Sequence, residues 1–85
     1  MANTEERIKE VVADTLGLPL QKITDDLTMK ETEEWDSLKH MELVAAIEEC
    51  FAFELSFDEI VNMVSISGIQ KVVAAKLNGD GNATE

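Results

Sequence analysis

From Ser37 to Ala52 the chain runs without Gly or Pro and is rich in Leu, Met, Ala and Glu, all good helix formers. Within this run Leu43, Ile47 and Phe51 recur at every fourth position. An α-helix advances about 100° per residue, so these three share one side, with Val44 and Cys50 flanking them. A strand would need a period of two instead. The same helical spacing returns at Ile8, Val11, Val12 and Leu16, and again at Ile66, Ile69, Val72, Val73 and Leu77. No segment alternates convincingly enough for a strand. The pattern predicts an all-α fold, a small four-helix bundle of three main helices and one short one.

The boundaries carry their own chemistry. Asn3 followed by Glu6 resembles a capping box, with Thr4 as an alternative cap. Gly17 suits the position just past the first helix, and Pro19 stops any continuation. Residues 17–36 form a long connection, and connections of that length are functional or tied down by their own side chains. Leu18, Leu20, Ile23, Leu27 and Met29 are spaced as its anchors. It is acidic at Asp25, Asp26, Glu31, Glu33, Glu34 and Asp36, but lacks the alternating ligands and central Gly of a calcium loop. No metal site is expected. The second helix is predicted over Ser37 to about Ala52. Ser56 or Phe57 precedes a short acidic helix, Asp58 to Asn62. Ser65 caps the last helix, which Gly68 weakens slightly and Asn78-Gly79 ends. The folded domain is expected over 1–78, with 79–85 as a polar, flexible tail.

Eighty-five residues suffice for one small domain. Asp and Glu total 18 against 7 Lys and Arg, a formal net charge of −11. That sign disfavours nucleic acid and anionic membranes and favours basic patches on other proteins. No apolar run could span a membrane, no signal-like N-terminus is present, and one Cys excludes an internal disulfide. A cytoplasmic monomer is expected. Nothing equips the chain for catalysis. Its single His, His40, lies three residues from Ser37 on the core side of the same helix, where it is expected to be partly buried packing. There is no Gly-x-Ser-x-Gly turn, zinc ligand set or Gly-rich phosphate loop. Cys50 is most simply a core residue.

The far side of the second helix is less ordinary. Leu38, Met41 and Ala45 fall away from the core stripe, among Glu42, Glu48 and Glu49. Such a strip is suited to a partner with an apolar groove and a basic rim. Ser37 stands at its N-terminal end. Taken alone, Asp36 or Ser37 merely starts a helix, since Ser is among the commonest N-caps. A hydroxyl at a helix N-terminus is also well placed to hold a phosphate, because the amides and the dipole there favour an anion.

In this frame the chain resembles an acyl carrier protein over about Glu5 to Leu77. The likeness rests on Leu16-Gly17-Leu18, the long loop, Asp36-Ser37-Leu38, Glu42-Leu43-Val44, Ile47-Glu48-Glu49 and Phe51. The resemblance implies an acyl-carrier-like bundle with no activity of its own. It implies a 4'-phosphopantetheine group on Ser37, installed by a phosphopantetheinyl transferase (holo-carrier synthase) that recognises Asp36. Acyl groups would ride on its thiol, presented to acyl-loading and acyl-processing enzymes with basic docking patches. Leu38, Met41, Glu42, Ala45, Glu48 and Glu49 match docking positions, and Leu43, Ile47 and Phe51 match positions lining the acyl cavity.

Four residues depart from the usual fatty-acid carriers. Glu34-Trp35 replaces a small pair, Lys39 replaces an acid, and His40 replaces a small residue. A carrier for fatty acid, polyketide or another lipid pathway fits this pattern. So does an aminoacyl or peptidyl carrier, and an unmodified acidic interaction module would use the same face. Trp35 either restricts access near the arm or packs over the loop.

Overall fold

A computed structural model of the chain describes residues 3–77. Helix α1 spans Thr4–Leu16, α2 Ser37–Phe51, α3 Phe57–Asn62 and α4 Ile66–Leu77. Asn3 caps α1, its Oδ1 accepting the Glu6 amide at 2.8 Å. Gly17 ends it in the left-handed region at φ 71°, as its place in the sequence implies. α2 stops one residue before the expected end, because Ala52 turns left-handed at φ 60°. A non-glycine residue there costs roughly 1–2 kcal/mol. The turn brings the Ala52 and Phe53 amides onto the Glu48 carbonyl. α3 carries a full capping box: Ser56 Oγ accepts the Glu59 amide, and Glu59 Oε1 accepts the Ser56 amide. Ser65 caps α4 through the Gly68 amide at 3.0 Å.

α1 packs against α2 and α4, and α3 packs against α4. Ile8, Val12, Ala13 and Leu16 of α1 meet Leu43 and Ile47 of α2, and Met63, Ile66, Ile69 and Val73 close the core. Some expected core positions lie at its edge. Phe51 is half-buried and stacks on Phe53 with ring centroids 6.0 Å apart. Cys50 is half-buried too, accepting from an Arg7 guanidinium nitrogen at 3.2 Å. Leu77, a member of the expected last apolar stripe, is exposed. The expected end at Asn78-Gly79 and the tail lie outside the described residues.

The long connection is ordered by its own contacts. Ile23 is buried, and Leu18, Leu27 and Met29 pack against the core. Leu20 is not an anchor; it is exposed at the start of a 3-10 turn, Leu20–Lys22. Thr28 pairs with Ser65 in an isolated antiparallel bridge. There the Met29 amide donates to the Val64 carbonyl at 2.8 Å, and the Ile66 amide to the Leu27 carbonyl at 3.0 Å. Lys9 and Gln70 both reach Asp25, at 3.0 and 3.3 Å, which fastens the middle of the loop to α1 and α4.

Gly68 has a packing reason for its place in a helix. A Cβ built there would run into the backbone carbonyl of Asn62 at the end of α3. Glycine in a helix interior costs about 1 kcal/mol relative to alanine, but overpacking against backbone costs about 1–3 kcal/mol. Gly68→Ala should therefore lower the melting temperature, against its helix propensity. A raised melting temperature would show that α3 and α4 are not held this closely.

Glu59 ties α3 to α4 a second time, through an ion pair with Lys76 at 2.9 Å. Burial pushes its carboxyl up, but the Ser56 amide and hydroxyl and the Lys76 ammonium outweigh this and hold it below its usual 4.5. Lys9 and Gln70 lower Asp25 likewise. A carboxyl depressed in the fold contributes stability above its unfolded pKa and loses it as pH falls through the folded value. Urea midpoints should thus decline below about pH 4.5, and Glu59→Gln should flatten part of that decline; an unchanged acid limb in Glu59→Gln contradicts the pairing.

Candidate functional site

The start of α2 gathers the residues that the sequence singles out. Asp36, not Ser37, is the N-cap: its Oδ1 accepts the Lys39 amide at 2.9 Å and its carbonyl the His40 amide at 2.8 Å. Ser37 is thus the first helical residue, with an exposed side chain. The first amides of a helix have no acceptor within it. The Asp36 carboxylate satisfies Lys39, which leaves the Ser37 and Leu38 amides beside the Ser37 hydroxyl, at the positive end of the helix dipole. Asp36 and Ser37 also line a groove of about 590 Å³, together with Met29, Lys30, Trp35 and Val64.

From Ser37 the exposed face runs along α2. Leu38 is 68% and Met41 55% exposed, and Ala45, Glu42 and Glu49 are exposed beside them. Glu48 departs from the expected rim. It is half-buried, and its Oε2 accepts the Leu55 amide at 2.8 Å, so its charge holds the α2–α3 connection. Lys39, the positive charge expected beside Ser37, pairs with Glu42 at 3.4 Å. Exposed Phe57 and Val61 on α3 add further apolar surface.

Beside the Asp36 cap lies a contact that apolar spacing does not show. Trp35 is 2% exposed, and its Nε1–H donates to His40 Nδ1 at 3.1 Å. Indole nitrogen can only donate, so Nδ1 accepts and the imidazole proton sits on Nε2. Nε2–H in turn donates to the Ile60 carbonyl at 3.0 Å. His40 is buried, as expected on the core side, but it is bonded at both nitrogens. The signal was present. Trp35 directly precedes the cap and His40 is the fourth helical residue, the two positions of a hydrophobic staple.

Comparison with known proteins agrees with this geometry. Residues 6–73 match the phosphopantetheine attachment site family. The chain is 38% identical over 73 residues to an acyl carrier protein of Buchnera aphidicola, covering 86% of this chain and 94% of that one. It is 30% identical over 73 residues to polyketide-8 synthase acyl carrier protein 2 of Streptomyces avermitilis, covering 86% and 84%. The chain belongs to the acyl carrier protein family. The fold is likewise similar to a solution structure of a holo acyl carrier protein from Nitrosomonas europaea, with a TM-score of 0.76. That match, at 23% identity, covers 92% of this chain and all of the other. As an acyl carrier the protein bears acyl groups on a phosphopantetheine arm and is a substrate for other enzymes, not a catalyst. Among the described residues, no helix is long and apolar enough to cross a membrane.

The bond to Trp35 has a measurable weight. Replacing Trp35 by Phe keeps most of the apolar volume but leaves buried His40 Nδ1 without its donor. An unsatisfied buried polar group costs about 1–3 kcal/mol, so Trp35→Phe should lose roughly that much unfolding free energy in urea. Stability equal to wild type would mean the indole N–H contributes nothing to the carrier.

Proposed function

We propose that Ser37 is the attachment point of the 4'-phosphopantetheine arm. The observation that carries this is its place: an exposed hydroxyl on the first residue of α2, inside the family match and at the mouth of an apolar groove. The residues there suit a phosphodiester-linked arm. Ser37 Oγ is the atom to be esterified. The Ser37 and Leu38 amides and the helix dipole favour the anion. Asp36 has one carboxylate oxygen occupied by the Lys39 amide, which offsets part of its repulsion of a phosphate. Lys30 adds a cation on the groove's rim. Met29, Trp35 and Val64 offer apolar wall to the part of the arm beyond the phosphate. When bound, the group supplies the thiol on which acyl groups travel as thioesters.

The partners in this proposal are the phosphopantetheinyl transferase and the acyl-loading and acyl-processing enzymes. Leu38, Met41 and Ala45 form the apolar strip on which they dock, and Glu42 and Glu49 form the rim that meets their basic patches. Glu48 contributes position more than charge, since its carboxylate is held by Leu55. With a net charge of −11, encounter with basic partners is steered over a distance and weakens as salt screens it.

Incubation with coenzyme A, magnesium and a broad-specificity phosphopantetheinyl transferase should add the mass of one phosphopantetheine group to wild type and nothing to Ser37→Ala. No gain on wild type, or an equal gain on Ser37→Ala, would remove Ser37 as the tether. In the latter case peptide mapping would locate the true one.

A further inference from the structure

A flexible acyl chain hung beside Ser37 has two places to lie, the interior of the bundle or its outer surface. Burial of apolar surface favours the interior wherever room can be opened. Trp35 stands between the groove beside Ser37 and the core, since it lines the one and belongs to the other, and His40 joins it across the seam between the start of α2 and α3. Trp35 is the largest of the fully buried side chains and stands directly before the α2 cap. His40 bridges the seam itself, with Nδ1 on the indole at 3.1 Å and Nε2 on the Ile60 carbonyl at 3.0 Å. Behind them Leu43, Ile47, Met63 and Ile66 are wholly buried. A chain entering here must displace an indole and strip buried polar groups of their partners, and it has no polar atom to replace them. The outer groove demands nothing of the kind. Ser37 already lines it, its walls include Met29 and Val64, and its volume of about 590 Å³ is open to the arm.

We propose that Trp35 and His40 are specificity-determining residues that keep cargo out of the bundle interior, so that this carrier bears its acyl group in the outer groove between Met29 and Val64. This rests on Ser37 as the attachment point. An open groove leaves each further methylene of a long saturated chain partly in water, and that cost grows with length. The matching cargo is therefore short, or carries oxygens along its length. Its thioester stays accessible to visiting enzymes, with no need to draw the chain out of a core first.

The test compares holo and octanoyl forms of wild type and Trp35→Ala. Both are made with a broad-specificity transferase, from coenzyme A or octanoyl-coenzyme A, and checked by intact mass. In wild type the two forms should melt within about 1 °C of each other, with unchanged amide NMR shifts at Leu43, Ile47 and Met63. In Trp35→Ala the octanoyl form should melt several degrees above its holo form, because the chain fills space the indole vacated and stabilises the folded state alone. A wild-type octanoyl form that melts clearly higher, or that shifts those core amides, overturns the proposal. So does a Trp35→Ala protein that gains nothing from its octanoyl group. Should Trp35→Ala fail to fold, the wild-type pair decides alone. Failure of wild type to gain mass is a separate result: it removes the tether, and the proposal with it, whereas full loading followed by core shifts removes only the proposal.

Discussion

The imidazole of His40 takes a hydrogen bond from the Trp35 indole and gives one to the Ile60 carbonyl. Three segments far apart in character meet on that ring: the end of the long connection, the first turn of α2 and the body of α3. α3 has only six residues, too few to be stable by itself. It is held by its capping box, by the Glu59–Lys76 pair and by this bond. The ring must be neutral with its proton on Nε2 to serve both partners, since Nδ1 can accept only when it carries no proton. One side chain thereby sets the position of the helix end that bears Ser37 relative to the helix across the seam.

The connection is rigid for the same kind of reason. It places the Met29 and Ile66 amides on carbonyls across the Thr28–Ser65 bridge, and it buries Ile23 and Trp35 in the core. Within the connection itself, Thr32 Oγ1 donates to the Thr28 carbonyl at 2.6 Å, and the Trp35 amide to the Thr32 carbonyl at 3.0 Å. These bonds lead the backbone into the Asp36 cap. The groove beside Ser37 is therefore bounded by a fixed wall on one side and by the α3–α4 junction on the other. Its shape is a property of the fold, not of a loop that settles around its cargo.

Much of this was legible beforehand, and the misses have physical causes. Helices follow from apolar spacing and caps, which are local, so α1, α2 and α4 lie within a residue of their expected ends where those are described. The exposed strip at Leu38, Met41 and Ala45 also follows from local geometry, because a helix has only one face to bury here. Leu20 and Leu77 fit the apolar spacing but are exposed, because spacing gives the side on which a residue lies and not whether a neighbour covers it. Glu48 was counted as free rim because its partner, the Leu55 amide, exists only after Ala52 turns the chain left-handed. Trp35 and His40 looked like separate oddities, and the bond between them depends on α3 supplying the second acceptor.

The charge on the exposed face of α2 is less uniform than its composition implies. Glu48 is turned inward to Leu55 and Glu42 is partly offset by Lys39, which leaves Glu49, farther along α2, as the least compensated of the three acids on this face. Around Ser37 the exposed apolar side chains of Leu38 and Met41 stand beside charges of both signs, Glu33, Glu34 and Asp36 together with Lys30 and Lys39. Charge in such an arrangement acts on encounter and orientation more than on affinity, so the two offsets at Glu42 and Glu48 shift where a basic surface is steered more than how tightly it is held.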